Sequence, residues 1–273
     1  MKKLCFCAVV LCVFALSSPL AGYDTSPSSV QIIPEVVWAA ATGGGTWVTE
    51  LQITAFSSGT TFIRVEYFYN GNGASGAYRY IGEAYDIFGL YRSVKSSNIL
   101  ALMQADDDGF QYYGTSGTLV IYTEGSYQLI KATARTVNGN FGKTFPGIKA
   151  DDANSANVGR EMMIQDLRRN AAYRTFTGFW LGGGSSYMTV EFTLYNENGS
   201  VIGSSFTKIF GNAECMIFNP FVQAGVPSGD YDNVWLRIRP LSSDSNTYGL
   251  FSFASSANNY TNDTYAHIAT QFQ

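Results

Sequence analysis

Two short acidic segments carry oxygen atoms that could bind calcium. Asp106 and Asp108 belong to a run of three aspartates followed by glycine, and Asp230 and Asp232 flank a tyrosine. Carboxylate oxygens are the ligands that Ca²⁺ prefers. Neither segment has the spaced ligands of a strong calcium loop, so solvated turns are the favoured interpretation. No cofactor is therefore predicted, and the four aspartates are weak calcium candidates.

The thiol and imidazole groups offer little for catalysis. His267 is the single histidine of the chain, and no serine near it lies in a nucleophile-elbow motif. Cys5, Cys7 and Cys12 lie in the amino-terminal leader, which leaves Cys215 alone in the rest of the chain. One cysteine cannot form an internal disulfide, and one cysteine with one histidine cannot make a zinc site. We therefore predict a structural histidine, an inert buried thiol and a protein that is not an enzyme.

Tyrosines are concentrated in segments of the first half that have the composition of loops. Tyr78, Tyr80, Tyr85 and Tyr91 all lie in the stretch AYRYIGEAYDIFGLY. Tyrosine presents a rigid apolar face with a polar tip, which suits stacking on sugars or contacts with proteins. Packing inside a small sandwich is the alternative role for such residues. These four tyrosines are the predicted ligand-binding surface.

The first 22 residues have the pattern of a secretory signal peptide. Lys2 and Lys3 precede an apolar run from Leu4 to Leu16, which is too short to span a bilayer. A lipid anchor would need a cysteine where Tyr23 stands. We expect a secreted, periplasmic or cell-surface protein that is not a lipoprotein, with the cleavage position left open.

The composition favours a β-rich fold and argues against two classes of partner. Aromatic residues make up 15% of the chain and charged residues only 14%, and there are 28 glycines. Tyrosine, phenylalanine, threonine and valine suit the pleated, half-buried surface of a sheet. Acidic residues outnumber basic ones and no basic cluster occurs, so a nucleic-acid partner is not expected. No second long apolar run follows the leader, so membrane insertion is not expected either.

Similar phrases occur twice along the chain, in the same order. VEYFYNGNG begins at Val65 and VEFTLYNENG begins at Val190. Four further pairs are TWVTELQI with AYRTFTGF, LVIY with LRIR, YQLIKATARTVN with YGLFSFASSANN, and TFPGI with TYAHI. We predict a duplicated β-sandwich, with domain 1 at 30–148, a polar linker at 149–160 and domain 2 at 161–273.

Each half also carries one segment that predicts a short helical turn. SSNILALMQADDDG places Ile99, Leu102 and Met103 on one expected helix face. Its counterpart NPFVQAG has Asn219 as the expected N-cap and Pro220 at the first helical position. In both halves the turn precedes a predicted strand, which is the position of a lid over one end of a sandwich.

Three phrases resemble a known group of proteins. They are WVTEL from Trp47, ARTVNGNFG from Ala134 and RRNAAYRT from Arg168. On these phrases the chain resembles uncharacterised exported bacterial proteins built from tandem immunoglobulin-like β-sandwiches. The sequence departs from the usual pattern at Thr177 and Gly178, and in an apparent insertion that contains the tyrosine-rich stretch. The resemblance implies an all-β fold of two tandem immunoglobulin-like antiparallel sandwiches, and it brings no catalytic residues.

These observations favour a non-enzymatic exported protein that acts as a structural, adhesion or partner-binding module outside the cell or on its surface. The expected partner is a protein or a polysaccharide at the cell surface. A carbohydrate-binding protein that uses the loop tyrosines is the alternative. An outer-membrane β-barrel is less favoured, because it would account for the glycine and aromatic content but not for the repeat or the helical turns.

Overall fold

The fold is antiparallel and mostly β, as the composition predicts: 67% of the residues that the structure describes lie in strands and 6% in helices. The computed structural model describes residues 24–41, 44–69, 78–88, 91–106, 111–124, 128–150, 155–182, 187–243, 249–260 and 264–271. The predicted signal peptide at 1–22 lies outside these residues. Within them, no helix has the length and apolar character needed to cross a membrane.

The described residues of the first half form nine strands and one helix. The strands are β1 (Val30–Ala40), β2 (Thr46–Ala55), β3 (Thr60–Tyr69), β4 (Tyr78–Phe88), β5 (Ser93–Ser96), β6 (Thr115–Glu124), β7 (Ile130–Asn138), β8 (Phe141–Pro146) and β9 (Ile148–Lys149). The helix, α1 (Ile99–Asp106), lies between β5 and β6.

In the second half, the part of the chain that the structure describes also contains nine strands and one helix. The strands are β10 (Met162–Arg169), β11 (Tyr173–Leu181), β12 (Tyr187–Tyr195), β13 (Val201–Gly211), β14 (Cys215–Phe218), β15 (Tyr231–Ser243), β16 (Leu250–Asn258), β17 (Thr264–Ile268) and β18 (Thr270–Gln271). The helix, α2 (Pro220–Gln223), lies between β14 and β15.

The strands pair in the same order in both halves. In the first half, sheet I has the order β5-β2-β7-β8 and sheet II has the order β4-β3-β6-β1-β9, and the end of β1 joins the two sheets by pairing with β2. In the second half, sheet III has the order β14-β11-β16-β17 and sheet IV has the order β13-β12-β15-β10-β18. Each strand of sheets I and II therefore has a positional counterpart in sheets III and IV. The tyrosine-rich strand β4 is accordingly the positional counterpart of β13.

Buried apolar side chains form three layers between the four sheets. One layer lies between sheets I and II, and another lies between sheets III and IV. A third, which we call the middle layer, joins sheet II to sheet III. Its buried residues are Ile32, Phe68, Val120, Ile148, Trp180, Cys215 and Phe251. The two halves are thus stacked face to face over a shared apolar layer.

Burial on both faces explains the continuous apolar runs of the inner strands. In β1, Ile32 belongs to the middle layer while its neighbour Ile33 packs between sheets I and II. In β11, Trp180 belongs to the middle layer while Phe179 packs between sheets III and IV. Successive side chains of a strand point to opposite faces, so a strand covered on both faces needs apolar residues at successive positions.

The two helices contribute buried side chains to the apolar layers inside the two halves. The side chain of Asn219 accepts hydrogen bonds from the backbone N–H groups of Phe221 and Val222, which confirms the predicted N-cap. In α1 the buried residues are Ile99, Leu100 and Met103. The predicted inclusion of Leu102 is wrong, because Leu102 is exposed and Leu100 takes its place in the core.

The segment predicted as a linker is attached to both halves by backbone hydrogen bonds. Lys149 and Ala150 donate to the carbonyls of Asp24 and Val30 in the first half. Ala156 exchanges two hydrogen bonds with Leu250 in the second half. The described ends of the segment therefore continue the sheets that they adjoin.

Candidate functional site

Three of the four predicted ligand-binding tyrosines lie on a strand. Tyr78, Tyr80 and Tyr85 belong to β4, which pairs with β3 along its length and forms the edge of sheet II. The expectation that they lie in a loop is wrong, because the backbone of this segment is hydrogen-bonded into the sheet.

The fourth tyrosine, Tyr91, is an exposed residue outside that strand. Its side chain is 68% exposed, and its ring meets the ring of Phe56 edge to face at 5.5 Å. Its backbone N–H donates to the carbonyl of Ala55, and its φ of +57° places it in the left-handed region. The aromatic contact makes Tyr91 part of a local surface cluster with Phe56.

The acidic turns present solvent-exposed carboxylates. Asp106 is exposed at the end of α1, and Asp108 lies outside the described residues. Asp230 and Asp232 are also exposed, and Asp232 accepts a hydrogen bond of 3.0 Å from Nδ2 of Asn170. Across the part of the chain that the structure describes, no three His, Cys, Asp or Glu residues are grouped so as to hold a metal ion.

Cys215 is buried in the middle layer, as the sequence predicts. Burial raises the pKa of its thiol to about 12, although its contact with the hydroxyl of Thr118 acts in the opposite direction. The thiolate is the reactive form of cysteine, so this group is a packing residue at the interface between the halves.

His267 lies on β17 without a catalytic partner in the described chain. Burial lowers its pKa, the carboxylate of Asp166 acts against this shift, and Arg168 and Lys143 add to it. Its Nε2 is buried and has no hydrogen-bond partner among the described residues. The nearby hydroxyl of Ser256 is hydrogen-bonded to Thr175 at 2.8 Å. The predicted structural role fits this arrangement, in which no described serine hydroxyl hydrogen-bonds to the imidazole.

A polar cleft at the edge of the middle layer was not anticipated from the sequence. We call it the inter-half cleft, because sheets I and II supply one wall and sheet III supplies the other. The residues that give it its chemistry are Glu35, Trp47, Lys143, Arg174, Phe176 and Thr264.

A buried ion pair forms the floor of the inter-half cleft. Nζ of Lys143 lies 2.6 Å from Oε2 of Glu35, and both side chains are about nine-tenths buried. The same ammonium donates to the hydroxyl of Ser255 across the boundary between the halves. Lys143 thus acts as a hydrogen-bond donor to two oxygens. Its charge is balanced by Glu35.

Arg174 supplies a second positive charge that no carboxylate balances among the described residues. One of its terminal nitrogens, Nη1, donates to Oδ1 of Asn259 at 2.7 Å. The half-buried ring of Trp47 and the ring of Phe176, which is 42% exposed, provide apolar surface in the same cleft. Trp47 belongs to the first half, and Arg174 and Phe176 belong to the second.

The alternating side-chain directions of β11 bring Arg174 and Phe176 to the boundary between the two halves. Every second residue of this strand faces the first half: Arg174, Phe176, Gly178 and Trp180. The residues between them face sheet IV. Gly178 allows the ring of Phe253 to lie against the backbone of β11, because a Cβ at this position would overlap that ring.

The ring of Phe253 links this strand to the first half. It meets Phe145 of β8 edge to face at 5.8 Å. Phe145 lies next to the ammonium of Lys143, which is 5.6 Å from the centre of its ring. The apolar contact and the ion pair therefore form one continuous junction between the halves.

One sequence signal could have located the cleft. Glu35 is a charged residue inside the apolar run VQIIPEVVW, and a buried carboxylate requires a partner. The partner, Lys143, lies 108 positions further along the chain, and the sequence alone does not identify it.

Comparison of the chain with protein-family models, curated proteins and solved structures found no match.

Proposed function

We propose that this protein is an exported, non-enzymatic binding or structural module of the cell surface, built from two tandem immunoglobulin-like sandwiches. The observation that carries the proposal is the middle layer, in which the ring of Phe68 from one half lies 5.3 Å from the ring of Trp180 in the other. An apolar layer of this kind holds two halves in one orientation, whereas domains joined by a linker alone move freely.

A fixed orientation suits a protein whose task is to present a surface. A preorganised surface loses little conformational entropy when a partner binds, so more of the contact energy appears as affinity. The equal pairing order of the two halves supports the tandem-sandwich description. The leader sequence supports export.

The chemistry of the described polar groups supports a non-enzymatic role. General acid–base catalysis needs a titratable group within hydrogen-bond reach of the reacting atoms. The ammonium of Lys143 is occupied by Glu35 and Ser255, and the imidazole of His267 has no nucleophile bonded to it among the described residues. These groups hold the structure together and do not form a proton-transfer set.

Fractionation and binding measurements test the proposal. Cells that express the full chain should carry it outside the cytoplasm with the leader removed, and the purified mature protein should be retained by the cell envelope or by extracellular matrix. A panel of ester, peptide and glycoside substrates should show no turnover. Cytoplasmic retention with an intact leader would contradict the export proposal, and turnover lost on substitution of His267 would contradict the non-enzymatic one.

A further inference from the structure

We propose that the inter-half cleft binds one hexuronate unit of an acidic polysaccharide, with Arg174 pairing with the sugar carboxylate. This inference rests on the binding function proposed above and gives it a site and a class of ligand. Two aromatic side chains, Trp47 and Phe176, would contact the sugar ring from opposite halves of the protein.

The size of the cleft limits the ligand to about one six-membered ring. Its volume is about 130 Å³. An engineered cavity of roughly 150 Å³ in another protein accommodates benzene. A single pyranose ring is therefore the largest unit that the enclosed part can take, and the rest of a polymer would extend into solvent through the open side.

The charge of the cleft favours an anion. The charges of Lys143 and Glu35 cancel within their 2.6 Å contact. Arg174 has no carboxylate partner among the described residues, so the described lining of the cleft carries one net positive charge on a chain whose net charge is −4. A guanidinium presents a planar set of donors that matches a carboxylate, and Arg174 uses Nη1 for Asn259 while its other nitrogens have no described protein acceptor.

One hydroxyl group of the cleft favours a sugar over an aromatic acid. Oγ1 of Thr264 is buried there and has no hydrogen-bond partner among the described residues. A buried hydroxyl without a partner is unfavourable, and a ligand hydroxyl would satisfy it once the side chain of Thr264 turns toward the cleft. An aromatic carboxylate such as benzoate could meet Arg174 and the rings but would leave Thr264 without a partner.

Titration calorimetry with small sugars tests the assignment on the mature protein. Galacturonate and digalacturonate are the probes, and galactose and benzoate are the comparison ligands. We expect saturable binding of the uronates, with galactose and benzoate each at least tenfold weaker. Equal affinity for galactose would show that the charge is not recognised, and equal affinity for benzoate would show a site for aromatic acids. Either result would overturn the proposal.

Three substitutions locate the binding in the cleft. Arg174→Gln should weaken galacturonate binding at least tenfold, and Thr264→Val should weaken it severalfold without weakening benzoate. Arg92→Gln, which changes an exposed arginine outside the cleft, should leave the affinity unchanged. Circular dichroism and the melting temperature establish that each variant is folded. Wild-type affinity in a folded Arg174→Gln protein would place the sugar elsewhere and would refute the inference.

The envelope-retention measurement separates this inference from the proposed function. Retention on the envelope without uronate binding would leave the surface module intact and remove the hexuronate site. Uronate binding in solution without retention would keep the site and remove the surface role.

Discussion

Nζ of Lys143 lies 2.6 Å from Oε2 of Glu35, and the same ammonium donates to the hydroxyl of Ser255. These three side chains come from β8, β1 and β16, so a single charged group connects three strands and both halves of the protein. A buried ion pair contributes little net stability when compared with apolar residues of the same volume. Removing one partner is costly, because the other charge then stays buried without compensation.

Replacement of Lys143 by methionine should destabilise the protein by about 3–5 kcal/mol, because Glu35 would be left unpaired in a buried position. The double variant Lys143→Met with Glu35→Gln should recover a large part of this loss. Urea unfolding of the wild type, both single variants and the double variant measures the coupling between the two residues. Additive effects of the two substitutions would show that the pair does not act as a unit.

Gly178 is the position where an added methyl group should disturb the junction between the halves most directly. Gly178→Ala places a Cβ against the ring of Phe253, which is itself held against Phe145, so the ring or the strands must shift. We expect a loss of about 1–3 kcal/mol in the free energy of unfolding. Gly59→Ala is the matched control, because no atom lies within 4 Å of its added Cβ and its backbone has no positive φ. Equal stability of the two alanine variants would contradict the close approach at Gly178.

The sequence predicted the strands because local pattern determines them. The paired phrases at Val65 and Val190 lie on β3 and β12, which occupy the same position in their sheets. The N-cap at Asn219 was predictable for the same reason, because its hydrogen bonds reach only two and three residues along the chain.

The stacking of the halves was not predictable in the same way. Trp180 and Cys215 are apolar residues on strands, and either a sandwich core or an interface between sandwiches would bury them. The ion pair joins residues 108 positions apart. The tyrosine-rich strand β4 was mistaken for a loop because its glycine and charged residues weaken the strand pattern, and its pairing with β3 determines its structure instead.

Cleavage of the linker tests how strongly the halves are associated. A specific protease site placed within 149–160 should be cut without separating the two fragments, because Trp180 lies against Phe68 in one half and Phe251 in the other. Gel filtration of the cut protein under native conditions should give one peak with the volume of the intact chain. Two separate folded fragments would show that the middle layer is weak and that the halves behave as independent domains.

Trp180→Ala provides the matched comparison for that experiment. Replacing a buried tryptophan by alanine typically lowers the free energy of unfolding by about 3–5 kcal/mol. Here the lost contacts belong to the surface that the two halves share. The cut variant should therefore separate into fragments or aggregate under conditions in which the cut wild type stays together. Identical elution of both cut proteins would show that other contacts maintain the association.

His267 should make the stability of the protein depend on pH in the mildly acidic range. Burial lowers the pKa of His267 in the folded state below its usual value of 6.5, so the unfolded chain binds more protons as the pH falls through this region. The free energy of unfolding contributed by this group is thus highest above pH 6.5 and decreases toward pH 5. Its slope cannot exceed about 1.4 kcal/mol per pH unit, the value for one proton.

The variant His267→Gln isolates this effect, because it keeps a polar side chain of similar size that does not titrate. Urea unfolding of both proteins between pH 5 and pH 8 should show a larger gain of stability with rising pH in the wild type than in the variant. The carboxylates that titrate in the same range are shared by the two proteins, so the difference between the two curves reports the histidine. Parallel curves, or a wild type that gains stability relative to the variant as the pH falls, would contradict the lowered pKa of His267.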